Sequence, residues 1–184
     1  MIRVISGVYK GKRLKKVPSP VVRPMPDKLK ESMFNIIQEE VAGSIFLDGF
    51  AGTGSVGIEA LSRGAKLTVF VDELYFAVKT IKTNLEKCGA GEKAIVLLKE
   101  FNRAVIWLAR QKMKFDIIFL DPPYKLLDER NPLKVIKKRG ILKADGQIIL
   151  RRYHKTRFEG KYFELVREAA IGDDVLSFYK HLSE

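Results

Sequence analysis

The sequence predicts an α/β protein with a mostly parallel β-sheet of seven strands. Short apolar runs alternate with stretches whose apolar residues recur at helical spacing, a pattern typical of parallel strands joined by helices. The strands are predicted at 45–47, 66–71, 94–98, 115–120, 147–150, 162–167 and 175–179. The last two have no helix between them, so we expect an antiparallel hairpin at one edge of the sheet.

The N-terminal segment is predicted to add a small β-hairpin and a helix to this sheet. Residues 2–16 alternate short apolar and basic stretches around Gly7 and Gly11, and this pattern favours a hairpin. The prolines of 17–26 predict an extended connector. Asp27 is a suitable N-cap for a helix that runs to about residue 41. Further helices are predicted at 55–63, 74–87, 103–110 and 132–138.

The net charge of +12 points to a polyanionic partner. The first 30 residues contain nine Lys or Arg and a single acid, Asp27, which is too one-sided for an evenly solvated surface. The alternative is a lysine-rich surface without a nucleic-acid ligand, as in many heat-adapted proteins. We favour a nucleic-acid partner and divide the chain into a basic N-terminal extension, 1–42, and a larger domain, 43–184.

The composition argues against a membrane protein, a disulfide-linked protein and a histidine-based metal site. No apolar run approaches the roughly 20 residues of a membrane span, and the N-terminus has no signal-peptide pattern. Cys88 is the only cysteine, and His154 and His181 are the only histidines. We therefore expect a cytoplasmic protein without a bound metal, in which Cys88 packs in the interior.

The first strand of the sheet is followed by a glycine-rich turn and a helix, an arrangement whose free backbone N–H groups can face a nucleotide-type ligand. Gly52, Gly54 and Gly57 match the dinucleotide pattern G-x-G-x-x-G, and Asp72 follows about 20 residues later. However, Asp48 precedes these glycines, where a carboxylate would repel a pyrophosphate but accept hydrogen bonds from an ammonium group. The stretch therefore resembles the first motif of class I S-adenosylmethionine (SAM) methyltransferases, with a dinucleotide enzyme as the alternative. A phosphate-binding P-loop is excluded because no Lys-Ser/Thr pair follows.

Each of the first four strands is predicted to end at or beside an acid, namely Asp48, Asp72, Glu100 and Asp121. Ligands of open α/β sheets bind beyond the carboxyl ends of the strands. Asp72 is placed to accept hydrogen bonds from both ribose hydroxyls of an adenosine, and Glu100 from its exocyclic amine. Phe50 and Trp107 are predicted core residues, whereas Phe101 is a candidate for both the core and the cofactor site.

The fourth strand is followed by Asp121, Pro122, Pro123 and Tyr124. The prolines stiffen the turn and leave outward-facing carbonyl groups. An amine attached to a purine or pyrimidine is a poor nucleophile because its lone pair is delocalised into the ring. Hydrogen bonds from the amine to the Asp121 carboxylate and the Pro122 carbonyl would help it become pyramidal and hold it in line with a methyl donor. Tyr124 is placed to stack on the base.

These motifs, together with the basic N-terminal block, resemble the RsmD family of small-subunit rRNA guanine-N2 methyltransferases over nearly the whole chain. The matching stretches are 5–7, 9–14, 23–24, 27–35, 47–64, 119–124 and 172–179. The resemblance implies a Rossmann-like class I methyltransferase fold and methyl transfer from SAM to the N2 amine of one guanine in 16S rRNA, on a partly assembled small subunit.

The resemblance also implies roles for individual residues. SAM and its product S-adenosylhomocysteine would be bound by Asp48, Gly52, Thr53, Gly54, Asp72, Glu73, Glu100 and Phe101. The guanine would be held by the catalytic residues Asp121, Pro122, Pro123 and Tyr124. The RNA would be contacted by Lys10, Lys12, Arg13, Arg23, Lys28 and Lys30.

The sequence departs from the family pattern in two places. The family's Arg-Pro-Thr-Thr-Asp-Arg is Arg-Pro-Met-Pro-Asp-Lys at 23–28, which removes two hydroxyl groups. Arg151 and Arg152 follow the fifth strand, where relatives usually have an acid, so the site loses an acid and gains positive charge that could bind a phosphate. An N6-adenine DNA methyltransferase and a non-catalytic RNA-binding assembly factor remain alternatives.

Overall fold

The computed structural model describes residues 1–183, apart from the side chains of Tyr124 and Asp128. Strands β1 (Ile2–Arg3) and β2 (Arg13–Leu14) form a small antiparallel ribbon. The main sheet contains β3 (Ile45–Gly49), β4 (Leu67–Asp72), β5 (Ala94–Leu98), β6 (Phe115–Leu120), β7 (Leu142–Tyr153), β8 (Glu164–Ile171) and β9 (Asp174–Lys180). The order of its strands is β5-β4-β3-β6-β7-β9-β8, and β9 runs antiparallel to both of its neighbours. The predicted sheet and its C-terminal antiparallel hairpin are confirmed.

Strand β3 lies at the point where the strand order reverses. The chain extends the sheet on one side of β3 through β4 and β5, and on the other side through β6 and β7, all in parallel. A crevice opens at the carboxyl ends of neighbouring strands whose connections leave in opposite directions. Asp48 in β3, Asp72 at the end of β4 and Asp121 just after β6 therefore reach one edge of the sheet.

Helices cover both faces of the sheet. They are α1 (Asp27–Ile36), α2 (Gln38–Val41), α3 (Ser55–Ser62), α4 (Tyr75–Cys88), α5 (Phe101–Arg110), α6 (Tyr124–Glu129) and α7 (Pro132–Arg139), with a 3₁₀ turn at Gly91–Lys93. Alternate strand residues point to opposite faces: Phe46 and Phe70 pack with α1, α3 and α4, whereas Leu47 and Val69 pack with α5 and α7. Cys88 is buried in the first of these layers, as predicted.

The N-terminal extension is held to α3 by a buried carboxylate. Glu59 accepts hydrogen bonds from the backbone N–H groups of Ile5 (2.9 Å) and Ser6 (3.0 Å). Its Oε2 also lies 3.4 Å from Nζ of Lys30, which donates to the carbonyl of Arg3 at 2.7 Å. Both charged side chains are 0% exposed. One apolar cluster includes residues on both sides of position 42, and the domain boundary there stays a prediction.

The helix predicted after the proline-rich connector differs from the observed one in two respects. The N-cap of α1 is Pro26, so the prediction that Asp27 is the N-cap is wrong. The carboxylate of Asp27 instead accepts a hydrogen bond from Nε of Arg3 at 3.2 Å. The helical stretch is also interrupted at Ile37, where φ is −104° and ψ is 17°.

Other differences concern the bounds of elements and one helix that was not predicted, and β8 is observed at Glu164–Ile171 rather than 162–167. Helix α6 was not predicted, because its six residues are too short for a clear apolar period. Helix α5 begins at Phe101, before the predicted start at 103. Strand β7 begins at Leu142 rather than 147, since its first half is polar and contains Gly146, which hides it from an apolar pattern.

Among residues 1–183, none of the helices has both the length and the apolar character needed to cross a membrane. In the same described part of the chain, no group of three or more His, Cys, Asp or Glu side chains is arranged to hold a metal ion.

Candidate active site

The turn between β3 and α3 depends on left-handed backbone conformations. Gly52 and Gly54 have φ of 56° and 76°, a region that residues with a side chain rarely adopt. Gly57 is needed for a different reason, since a Cβ there would collide with the ring of Phe70. Because α3 lies this close to β4, the first turn of the helix and the end of the strand are held together beside the crevice.

The glycine N–H groups of this turn are bonded within the protein. The N–H of Gly52 donates to Oδ2 of Asp72 (2.8 Å), that of Gly54 to the carbonyl of Ala51 (2.8 Å), and that of Gly57 to Oδ2 of Asp48 (2.8 Å). The expectation that such N–H groups are free for a ligand is therefore wrong at these three glycines. The loop instead positions two carboxylates at the crevice.

Asp48 is almost completely buried, with 1% of its surface exposed. Burial raises the pKa of its carboxyl group well above the ordinary value, and the nearby carboxylates of Asp121 and Asp72 raise it further. The hydrogen bond from Gly57 opposes this effect. The ionised form of Asp48 is thus disfavoured in the unliganded protein, and a nearby cation would favour it.

Asp72 joins the glycine turn to the start of α4. Its Oδ2 accepts from Gly52, and its Oδ1 accepts from the N–H of Leu74 at 2.9 Å. Burial raises the pKa of this carboxyl group, and the backbone hydrogen bonds oppose the rise. Both oxygens are therefore engaged by backbone groups, and the predicted bonds to ribose hydroxyls would use their remaining lone pairs.

A cavity lies next to Asp72, where the sequence predicted the adenosine. Its wall is formed by Phe50, Val71, Asp72, Glu73, Lys99, Glu100, Phe101 and Leu126. The rings of Phe50 and Phe101 stack with centroids 4.9 Å apart. Phe101 is 3% exposed, so it belongs to the core and also lines the cavity. Trp107 packs against the core from a half-buried position, as predicted.

Glu100 has a structural function that the sequence did not reveal. It is the N-cap of α5, and its two carboxylate oxygens accept from the N–H groups of Asn102 and Arg103, both at 3.1 Å. Its side chain still borders the cavity. Thr53 is likewise engaged internally, because its hydroxyl accepts from the N–H of Ser55 at 3.3 Å. Contact of either residue with a cofactor stays a prediction.

The turn after β6 holds Asp121 at the same edge of the sheet. Oδ2 of Asp121 accepts from Nη1 of Arg151 at 2.9 Å. Nε of the same arginine donates to Oδ1 of Asp174 at 3.0 Å, so that Arg151 bridges two carboxylates. Burial raises the pKa of the Asp121 carboxyl group, and the charge of Arg151 opposes the rise. The side chain of Tyr124, predicted to stack on a base, lies outside the described residues.

The family model described as Conserved hypothetical protein 95 matches residues 2–180. The YlbH protein of Bacillus subtilis (strain 168) is 38% identical over 181 residues, which cover 97% of this chain and 98% of that protein. Ribosomal RNA small subunit methyltransferase D of Haemophilus influenzae is 33% identical over 142 residues, which cover 72% and 74% of the two chains. The chain belongs to the RsmD family.

Solved structures share the fold of this RsmD-family chain. The Escherichia coli protein yhhF, described as a methyltransferase, superimposes with a TM-score of 0.81 at 28% identity, over 100% of this chain and 99% of that one. An RNA methyltransferase from Salinibacter ruber, in complex with S-adenosyl-L-homocysteine, has a TM-score of 0.69 at 14% identity, over 88% and 95% of the two chains. The second likeness shows the fold alone, which is that of the class I methyltransferases.

The two departures from the RsmD family pattern have structural explanations. Met25 is 5% exposed and packs in the core, and Pro26 is the N-cap of α1. Arg151 bonds Asp121 and Asp174, while Arg152 donates to Glu168 (2.8 Å) and to the carbonyl of Thr156 (3.1 Å). Both arginines are thus paired within the protein, which does not favour phosphate binding by either.

Five of the six residues predicted to contact RNA are exposed, namely Lys10, Lys12, Arg13, Arg23 and Lys28. Nζ of Lys12 donates to the carbonyl of Lys87 in α4, at 3.2 Å. The prediction for Lys30 is wrong, because its ammonium group is buried between Glu59 and the carbonyl of Arg3. The basic hairpin of this RsmD-family chain lies against α3 and α4, on the side of the sheet that carries the glycine turn.

The sequence analysis did not single out Asp174, and it did not show that Arg151 pairs with Asp121 and Asp174. Asp174 reaches Arg151 from β9, which pairs with β7 in the register Arg151 to Leu176. A signal for Arg151 was present, because an arginine directly after three apolar residues in a central strand requires a buried anionic partner. Which acidic residue pairs with Arg151 depends on the register between β7 and β9, and no local sequence pattern determines that register.

Proposed function

We propose that this RsmD-family protein transfers a methyl group from SAM to the exocyclic N2 amine of a guanine in 16S rRNA, in small-subunit particles. Its relative from Haemophilus influenzae bears the name Ribosomal RNA small subunit methyltransferase D. The observation that carries the proposal is the placement of Asp121, in its Asp-Pro-Pro turn, at the same edge of the sheet as Asp48 and Asp72. The Asp121 turn would bind the amine, and the cavity beside Asp72 would receive the adenosine of SAM.

The residues at this edge fit SAM, which supplies an electrophilic methyl group on a positively charged sulfonium. Asp48, Asp72 and Asp121 all have carboxyl pKa values raised chiefly by burial, and the first is raised further by the other two. A cationic ligand would stabilise their ionised forms. Phe50, Phe101, Val71 and Leu126 offer an apolar wall of the kind that an adenine ring requires. A dinucleotide, with its anionic pyrophosphate, would be repelled by the same carboxylates.

Asp121 would act on the amine as a hydrogen-bond acceptor. Its carboxylate and the Pro122 carbonyl would receive the two N–H groups, which directs the nitrogen lone pair away from the ring and toward the methyl group. The new N–C bond forms as the C–S bond breaks, and the amine then loses one proton. Asp121 suits that last step because burial raises its pKa and makes it a better proton acceptor than an exposed aspartate.

The substrate can be identified by tritium transfer from labelled SAM. The unchanged protein would be incubated with deproteinised rRNA, small ribosomal subunits, subunit precursors and duplex DNA, followed by nucleoside analysis. We expect N2-methylguanosine, with transfer to precursor particles exceeding transfer to naked rRNA. N6-methyladenine as the only product would refute the guanine assignment, and a protein that binds no SAM would favour an assembly factor.

Replacement of Asp121 tests the amine site. We expect Asp121→Asn to lower kcat by roughly 10²- to 10⁴-fold, because the acceptor loses its charge and its ability to take a proton. The dissociation constant of SAM, measured by calorimetry, should change by no more than a few-fold.

Asp116→Asn is the matched control for this experiment. Asp116 lies in the same strand, β6, but its Oδ2 accepts from the N–H of Ile45 (2.8 Å) and from Nζ of Lys143 (2.9 Å), away from the crevice. This variant should keep its kcat. Full turnover by Asp121→Asn would contradict the function given to the turn.

A further inference from the structure

Two aromatic side chains at the start of α4 are exposed beside the cofactor edge. Tyr75 is 62% exposed and Phe76 is 58% exposed. Among the Phe, Tyr and Trp side chains that the structure describes, these two are exposed, and the others are buried or half-buried. Their rings touch each other at a centroid distance of 5.7 Å and an interplanar angle of 72°. Two neighbouring rings left in water present an apolar surface that the core does not use.

The surroundings of this aromatic pair are basic. Tyr75, Phe76, Lys79 and Lys82 are all exposed, and spacings of three and four residues place them along one side of α4. Farther along the helix, Asn84 holds the hairpin, because its Oδ1 accepts from the N–H of Lys15 at 2.7 Å. The aromatic pair therefore begins the same helix whose second half holds the basic hairpin that is predicted to contact RNA.

The pair also lies close to the proposed reaction site. Asp72 ends β4, and its Oδ1 is bonded to the N–H of Leu74, the residue directly before Tyr75. Strand β3 separates β4 from β6, and adjacent strands lie about 4.8 Å apart, so the start of α4 is on the order of 10 Å from the Asp121 turn along the sheet edge. A strand of RNA that enters the Asp121 turn would pass within reach of this surface.

We propose that Tyr75 and Phe76 stack on unpaired bases that flank the target nucleotide, while Lys79 and Lys82 bind the adjoining phosphates. This inference rests on the proposed function, because it takes RNA as the substrate. Every base has a π-face that can stack on an aromatic ring, but the bases of a duplex keep their faces covered. A second copy of this chain is a poor occupant, since two molecules that each carry a net charge of +12 repel one another.

The test compares single-stranded and duplex RNA binding. The probes are a fluorescein-labelled 12-nucleotide RNA of mixed sequence and its blunt duplex, and fluorescence anisotropy gives the dissociation constants. Replacing both rings in a Tyr75→Leu, Phe76→Leu variant keeps apolar bulk but removes the π-faces. We expect the dissociation constant for the single strand to rise roughly five- to 150-fold, as for the loss of one stacked base, with a much smaller change for the duplex.

Two control variants separate stacking from other effects. Tyr75→Phe combined with Phe76→Tyr keeps both rings and should bind the single strand like the unchanged protein. Leu165→Ala combined with Val166→Ala removes exposed apolar surface from β8, where the side chains are 48% and 47% exposed, and should also leave binding unchanged. The dissociation constant of SAM should be the same in all variants.

Unchanged single-strand binding by the leucine variant would overturn the stacking proposal, as would an equal loss for single strand and duplex. Dissociation of a dimer in that variant, seen by analytical ultracentrifugation, would also overturn it in favour of self-association. The binding measurement needs no methyl transfer. A protein that methylates no RNA would therefore count against the proposed function, whereas an unaffected leucine variant would count against the aromatic surface.

Discussion

The buried position of Asp48 in β3, near two other acids, lowers the stability of the unliganded protein at neutral pH. It lies among Asp72 and Asp121 with almost no contact with water, and its pKa is raised above that of an unfolded aspartate. A group with a raised folded pKa contributes stability below the unfolded value, and this contribution is lost as the pH rises through the folded value. At neutral pH the unliganded protein therefore carries a penalty that a cationic ligand would reduce.

Asp48→Asn should consequently stabilise the unliganded protein and weaken its binding of SAM. The amide oxygen can still accept from the N–H of Gly57, so the turn is kept, while the ionisable carboxyl group is removed. We expect Tm at pH 7 to rise by several degrees, since about 1 kcal/mol shifts Tm by roughly 2–4 °C in a chain of this size. The dissociation constant of SAM, from calorimetry, should rise by about tenfold or more, as when a hydrogen bond to a charged group is lost.

The pH dependence supplies the control for this substitution. Below about pH 4 an unfolded aspartate is itself protonated, so the stability difference between Asp48→Asn and the unchanged protein should shrink toward zero there. A Tm difference that stays constant from pH 4 to pH 8 would show that the higher stability of Asp48→Asn does not come from removing the ionisable carboxyl group.

Arg151 is a positioning residue whose effect on Asp121 can be separated from a purely structural one. Its charge opposes the rise in the pKa of Asp121 that burial causes. Arg151→Gln should therefore raise that pKa further, so that the acidic limb of the kcat/KM profile moves to higher pH. Arg151→Lys keeps the charge and should restore most of the original profile. A profile that is lowered evenly at every pH would mean that Arg151 only supports the fold.

At the scale of elements, Glu59 in α3 is the point to which the N-terminal extension is attached. Besides Ile5 and Ser6, it accepts from Nε of Arg63 at 2.9 Å and pairs with the buried Lys30. Burial lowers the pKa of the Lys30 ammonium group, and Glu59 opposes this shift. The extension is thus fastened through one carboxylate to the helix that follows the glycine turn.

Glu59→Gln should destabilise the protein strongly, because it leaves the ammonium group of Lys30 buried without its counter-charge. Removal of one partner from a buried ion pair costs about 3–5 kcal/mol, and urea denaturation would measure the loss. Adding Lys30→Met should recover a large part of the lost stability, since the unpaired buried ammonium group is then absent. A double variant no more stable than Glu59→Gln alone would mean that the backbone bonds to Ile5 and Ser6 dominate.

Several elements could be predicted because a local pattern determines them. The strands 94–98 and 115–120 are observed with the predicted bounds, since both are short, mainly apolar stretches with a lysine directly before them. The buried Lys30 could not be foreseen, because its partner Glu59 belongs to another helix and nothing in the first 30 residues indicates it. The acids at the strand ends were predicted from the sequence. The function of Glu100 as the N-cap of α5 was not predicted.

At the scale of the whole molecule, the net charge of +12 should make RNA binding strongly dependent on salt. Replacing Lys10, Lys12 and Arg13 by Gln should reduce the slope of log K against log salt by roughly two to three, if each residue neutralises one phosphate. Anisotropy titrations between about 50 mM and 200 mM salt would measure it.

A matched set of charges at and after the end of α5, which covers the other face of the sheet, is the control for this experiment. Arg110, Lys112 and Lys114 are exposed around the turn that leads into β6, at the amino end of that strand. Their replacement by Gln removes the same net charge and should change the slope much less. If the two triple variants have equal slopes of log K against log salt, the hairpin contacts RNA no more than Arg110, Lys112 and Lys114 do.

The arrangement of β7, β8 and β9 has a consequence for how this protein is made. During synthesis β8 leaves the ribosome before β9, yet among the described strands it joins the sheet only through β9. Until β9 emerges, the backbone edge of β7 from Ile148 to Tyr153 remains unpaired, and such an edge can pair with another nascent chain. A shortened chain that stops before β9 should therefore aggregate rather than yield a smaller working enzyme, and shortened expression versions need to retain Lys180.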